Sequence, residues 1–139
     1  MVSATIQIGA PPMAVWAILT DLGRYPEWNP LFLEAAGDIV AGQRIRLTSK
    51  QPATGRSMTV QPKIIVAEPG VELRWVSSLP GIIGGEHSFE LSAVDGGTRL
   101  IQSESFRGLL VPFSGKTLAS TEAAFQALNQ ALKERAEAR

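Results

Sequence analysis

An α+β fold, in which a meander of antiparallel strands is covered on one face by a long C-terminal helix, follows from three features of the sequence. The first is the segment from about Phe113 to Ala136, where Leu118, Phe125, Leu128 and Leu132 recur at spacings of seven, three and four. At about 100° per residue they share one helical stripe roughly 80° wide, so this is a helix with one buried face. The second is a series of strand-like runs separated by turn formers, namely Ala41-Gly42, Gln51-Pro52-Ala53-Thr54-Gly55, Pro69-Gly70 and Asp95-Gly96. Consecutive strands with short links pair antiparallel. The third is the isolation of that helix, since one amphipathic helix beside many strands must pack across the face of their sheet.

In chain order, residues 2–9 alternate, with Ile6 and Ile8 on one face and Thr5 and Gln7 on the other, the period of a half-buried strand ended by Gly9. Pro11 and Pro12 suit the first turn of a helix, and Val15, Ile18, Leu19 and Leu22 then fall within about 100° of arc. Gly23 is expected to stop that helix. Tyr25-Pro26-Glu27-Trp28-Asn29-Pro30 reads as a tight connector or short helix whose two rings tuck under the sheet edge. Six strands follow, over about 31–40, 43–51, 56–67, 70–78, 85–94 and 97–107.

The Asp95-Gly96 pair fits a two-residue type I′ hairpin, with positive φ at both central residues. With Val94 facing Gly97, Leu91 opposes Leu100, Phe89 opposes Gln102, and His87 opposes Glu104, all on one covered face. On the other face Ser88, Glu90, Ser92, Ser103 and Ser105 are expected in solvent. Leu73 and Trp75 point inward while Glu72 and Arg74 point out, and Val60, Pro62, Ile64 and Val66 form a further inward set.

With 139 residues the chain suits one domain with its own core, spanning residues 1–139. Lys plus Arg balance Asp plus Glu at thirteen each, so no net field draws the protein to nucleic acid or an anionic membrane. The absence of cysteine removes thiol catalysis, disulfides and thiolate metal sites together. One histidine cannot assemble a usual zinc set, and no aspartate-rich calcium loop is visible. No apolar run is long enough to span a membrane, and MVSATIQIGA lacks the form of a signal peptide, so a cytoplasmic protein is expected.

Ser114-Gly115-Lys116-Thr117 imitates the end of a phosphate-binding loop, but Leu110 stands where its first glycine belongs and the preceding strands form a hairpin. Nor is Ser114 a nucleophile elbow, because Pro112 occupies the glycine position two residues before it.

The order of elements, together with Pro12-x-x-Val15-Trp16, Leu19-Thr20-Asp21-Leu22, Tyr25-Pro26-Glu27-Trp28-Asn29-Pro30 and Gly85-Glu86-His87-Ser88-Phe89-Glu90-Leu91, resembles the SRPBCC or START-like helix-grip superfamily. Gly96-Gly97-Thr98-Arg99-Leu100 and Ser105-Phe106-Arg107-Gly108 complete the likeness, which covers almost the whole chain. This superfamily includes birch-pollen-allergen-like proteins and the polyketide cyclase/dehydrase and lipid-transport proteins. The resemblance implies a seven-stranded antiparallel sheet curled around the last helix, with two short helices after the first strand. It also implies a cavity for apolar or amphipathic small molecules and no single reaction, so the site must decide function.

Within such a cavity His87, Gln102 and Glu104 are the proposed polar anchors. A carboxylate beside an imidazole holds its tautomer and raises its basicity, which also suits proton transfer, and the same three groups can instead satisfy one another inside the fold. Trp28, Trp75, Phe89, Phe106 and Phe125 are the candidate apolar wall, or else plain core. Leu79, Pro80, Gly81, Ile82 and Ile83 form a candidate gate, with a second apolar stretch over 108–113; ordinary rim packing is the alternative.

The expected function is binding or transport of an apolar or amphipathic small molecule, with no cofactor, metal, nucleic acid or integral membrane segment. The first alternative is a cyclase- or dehydratase-like enzyme using His87 and Glu104 as acid and base. The second is a protein-interaction domain using the rim stretches Leu79–Ile83 and Leu109–Phe113.

Overall fold

The register of the central hairpin is the one that the sequence dictates: Val94 pairs with Gly97, Leu91 with Leu100, Phe89 with Gln102 and His87 with Glu104. The turn itself differs from expectation. Among the described residues no non-glycine residue has positive φ, so Asp95 is not left-handed, and Gly96 (+82°) and Gly97 (+156°) carry the unusual backbone instead. Two adjacent glycines take those angles without the Cβ penalty that Asp95 would meet, and the two-residue loop keeps the register unchanged.

Gly97 is needed for a second reason, because a Cβ there would stand 2.0 Å from the carbonyl oxygen of Ile8. Gly97→Ala should therefore lower stability by about 3 kcal/mol through strain and a forced shift of β1. An unchanged urea midpoint would contradict this close approach.

The computed structural model describes residues 1–50, 55–79, 83–107 and 115–138. In order they form β1 (Val2–Ile8), α1 (Pro12–Leu19), a 3-10 helix (Leu22–Glu27), β2 (Phe32–Ala36), β3 (Arg46–Lys50) and β4 (Ser57–Val60). There follow β5 (Lys63–Glu68), β6 (Glu72–Leu79), β7 (Ile83–Val94), β8 (Gly97–Arg107) and α2 (Gly115–Glu137). The strands are antiparallel in the orders β1-β8-β7-β6-β5 and β2-β3-β4.

These two sheets share a ladder. Arg44 bridges Lys63 in the register that pairs Leu47 with Val60, and Ile45 N donates to Pro62 O at 3.0 Å. The expected strand over 56–67 is thus broken into β4 and β5 at Gln61-Pro62, where proline has no N–H to give. Counted through that break, the curved sheet has the seven strands expected.

A bulge corrects one inward assignment. The register shifts between Ile64, which pairs with Trp75, and Val66, which pairs with Arg74 on the outer face. Ala67 takes the inward place opposite Leu73, and Ile65 is exposed. Ser88, expected in solvent, is buried. It lies between Glu86 and Glu90 on β7, and the Arg74 guanidinium on the neighbouring strand reaches both carboxylates, at 3.3 and 3.4 Å, and so covers it.

Gly23 does not end α1. The helix stops at Leu19 because the next N–H groups leave the i→i−4 ladder, Asp21 N–H turning to Ile18 O and Leu22 N–H to Thr20 O, while the Thr20 hydroxyl bonds Trp16 O; Gly23 lies inside the following 3-10 helix. Tyr25 is fully buried there, donating its hydroxyl to Leu19 O at 2.5 Å. Burial, aided by the nearby Asp21 charge, pushes its phenol well above the ordinary range.

α2 buries Phe125, Leu128, Leu132 and Ala136 against β1 and the sheet interior. Its last turns are fastened by charge: Arg135 reaches Glu27 at 2.6 Å, Lys133 bonds Gln7 O and Glu137, and Glu137 accepts Gly9 N–H at 2.8 Å. The Arg135 bond holds the Glu27 carboxyl below its ordinary value, and Lys133, then Gly9 N–H, does the same for Glu137.

A carboxyl depressed by folding stabilises above its unfolded pKa, near 4.5, and that contribution is lost as pH falls through the lower folded value. Thermal melts should therefore fall below about pH 4.5, and a Glu27→Gln/Glu137→Gln double variant should lose less over that interval. Equal acid losses in the two proteins would sink this account. No helix among the described residues is long and apolar enough to cross a membrane.

Candidate functional site

Strand alternation carries His87 and Phe89 of β7, Gln102 and Glu104 of β8, and Trp75 of β6 onto one face, because each is a Cα partner of another in the set. The face is covered by α2, which adds Phe125. His87 is only 2% exposed, with its ring stacked on Trp75 at 5.2 Å and an interplanar angle of 12°. Phe89 and Phe125 each approach it to 5.0 Å, and Phe32 of β2 meets it edge-on at 5.4 Å. An imidazole enclosed by four rings must find its polar partners in the ring plane.

It finds one through Nε2, 2.9 Å from Gln102 Oε1. Gln102 is itself completely buried and donates through Nε2 to Phe125 O at 3.2 Å and to Asn129 Oδ1 at 2.8 Å. Asn129, also buried, then donates to Ala4 O at 3.1 Å. On the other side of the ring Nδ1 stands 3.6 Å from Glu104 Oε2, too far for a direct hydrogen bond. Glu104 keeps 22% of its side-chain surface accessible. Its Oε1 lies over Gly85, where a Cβ would meet that oxygen at 3.0 Å, so the missing side chain leaves room for the carboxylate.

The structure thus gathers Trp75, His87, Phe89, Gln102, Glu104 and Phe125. Trp28 is half-buried and packs edge-on against Tyr25 at 5.3 Å, beside this group instead of within it. The Phe106 backbone pairs with Gly85, and its side chain lies outside the described residues. Of the expected gate, Leu79 and Ile83 are strand residues, the last Cα pair of β6 and β7, since the hairpin ladder runs farther than its glycine-rich sequence suggested. Pro80, Gly81 and Ile82 lie outside the described residues, as does the second apolar stretch over 108–113.

Two members were not found from sequence. Asn129 was signalled by its spacing, four after Phe125 and one after Leu128, which put an amide within the buried stripe of α2. Phe32 is aimed by Asn29, whose Oδ1 accepts the N–H groups of Leu31 and Phe32 at 2.9 and 2.8 Å.

A curved antiparallel sheet closed over a C-terminal helix, with polar side chains entering its covered face, defines a helix-grip protein. The chain belongs to the polyketide cyclase/dehydrase and lipid transport family, whose profile matches residues 1–137. Among solved structures it is similar to a START superfamily protein from Mycobacterium smegmatis, with 19% identity, a TM-score of 0.77, and coverage of 98% of this chain and 96% of that one. It is also similar to the Zhui aromatase/cyclase from Streptomyces sp. R1128 (18% identity, TM-score 0.76, 98% and 92% coverage). A third similar structure is Ara h 8.0201 (16% identity, TM-score 0.75, 99% and 97% coverage). At these identities the likeness shows the fold alone. No curated protein matches the sequence.

Proposed function

We propose that the protein binds an apolar or amphipathic small molecule between the inner face of the sheet and α2, at the end where His87 and Glu104 lie. The observation that carries this reading is Glu104: it shares the covered face with His87 and Phe89, yet a fifth of its side chain remains accessible. A face closed only by core packing would exclude that carboxylate, whereas a binding site combines an apolar wall with a few polar anchors. Trp75, Phe89 and Phe125 supply the wall, with Glu104 and the Nδ1 side of His87 as anchors. Gln102 already spends its amide on internal partners, so it acts through His87. A ligand enters past the end of the β6–β7 ladder, at the Leu79 and Ile83 pair. A cytoplasmic setting suits a cysteine-free protein of this family.

The 3.6 Å approach of His87 Nδ1 to Glu104 favours a second reading, acid and base catalysis of the cyclase or dehydratase kind. Native mass spectrometry of gently purified protein tests binding directly. A bound small molecule that leaves on denaturation is expected, and where none copurifies, saturable binding of an apolar fluorescent probe that Trp75→Phe weakens. A protein with no bound mass and no saturable partner from a broad apolar library would defeat the proposal.

A further inference from the structure

Two backbone carbonyls fix the direction of the entire buried polar chain. A carbonyl oxygen only accepts, so Ala4 O requires the amide nitrogen of Asn129, which turns Asn129 Oδ1 toward Gln102. Phe125 O likewise requires the amide nitrogen of Gln102, and both demands are met when Gln102 Oε1 faces His87. The atom opposite Oε1 must then be a donor, which is the protonated Nε2 of the imidazole. In the neutral ring this leaves Nδ1 without hydrogen, on the side of Glu104.

We propose that Gln102 and Asn129 are positioning residues that hold His87 in the Nε2–H tautomer, so that the basic nitrogen presented at the open end of the site is Nδ1. The chain runs from β1 through α2 and β8 to β7, so the tautomer is set by how the C-terminal helix is seated on the sheet. It rests on the binding site proposed above only for its use: any proton exchanged with a ligand passes through Nδ1 and Glu104, while Nε2 stays committed to the fold.

His87 is the sole histidine, so a long-range 1H–15N correlation spectrum of labelled full-length protein reports its tautomer without ambiguity. Recorded where the ring is neutral, the ligand-free protein should show a protonated Nε2 and a bare Nδ1. In Gln102→Leu the Nε2–H has no acceptor while Glu104 remains near Nδ1. An unmade buried hydrogen bond displaces such an equilibrium about tenfold or more, so the Nδ1–H form should become the majority.

Asn129→Ala leaves Gln102 its bond to Phe125 O and should give an intermediate shift, which provides the reading if the leucine variant does not fold. A merely structural amide chain would lower the stability of both variants without moving the tautomer. An Nδ1–H ring in the wild type, or an unmoved tautomer in the folded variants, would overturn the inference. Failure to bind any small molecule would instead count against the binding site alone, since the spectrum is taken without ligand.

Discussion

Truncating Phe125 to alanine is expected to lower the free energy of unfolding by about 3–5 kcal/mol, the range for deleting a fully buried aromatic side chain. Phe125 is 2% exposed and sits where α2 meets the aromatic group around His87. No described neighbour is positioned to refill its volume cheaply: Leu128 and Leu132 are completely buried in places of their own, and Phe89 and Trp75 are held on strands. The carbonyl of Phe125 remains in the variant, so the bond from Gln102 Nε2 should survive and the loss should report packing. Urea unfolding with an unchanged m value measures it. A loss below about 1 kcal/mol would mean that this turn of α2 is not packed on the sheet. If the ligand space adjoins Phe125, the same variant should also accept larger apolar probes.

The parts of the fold legible in the sequence were those governed by spacing. The two-residue loop at Asp95-Gly96 fixes which residues of β7 and β8 face one another whatever its turn type, so the meeting of His87 with Glu104 could be read even though the expected type I′ backbone is not the one formed. The stripe of Phe125, Leu128 and Leu132 announced the helix because burial on one face leaves a period of 3.6 in any context.

Less legible were features set by single residues in tertiary context. The bulge before Val66 adds one residue to one strand without any change of composition, yet it moves Val66 to the outer face and Ala67 to the inner one. Ser88 is polar on an outward position and still buried, because its cover is the Arg74 guanidinium from the next strand. Asn129 was readable in principle as an amide in an apolar stripe, but its partners, Gln102 and Ala4 O, are 27 and 125 positions away. What the sequence offered as three equivalent anchors on a covered face is instead a directed chain in which Gln102 is consumed internally and Glu104 alone stays accessible.

That division of labour sharpens the result expected of His87→Gln. Glutamine keeps an amide able to bond Gln102 Oε1, so the internal chain retains a partner, while the ring and its bare Nδ1 are lost. Ligand affinity should fall by about 10- to 100-fold, or roughly 1.4–2.7 kcal/mol, the scale of one disturbed buried polar contact and its stacking neighbour. Loss of the stack on Trp75 should also change tryptophan emission on binding.

In a binding protein the effect ends there, and the ligand is recovered unchanged from both proteins. In an acid-base enzyme the signature is different: binding is largely kept and the rate falls about 10²–10⁴-fold, because the positioned group acts in the transition state. The expected outcome is the first, since one histidine and one carboxylate without a nucleophile motif support anchoring more directly than a named reaction. Equilibrium titration of each protein, followed by mass analysis of the recovered ligand, separates the two. A ligand converted by the wild type and merely held by His87→Gln would assign His87 to catalysis and overturn the binding-only reading.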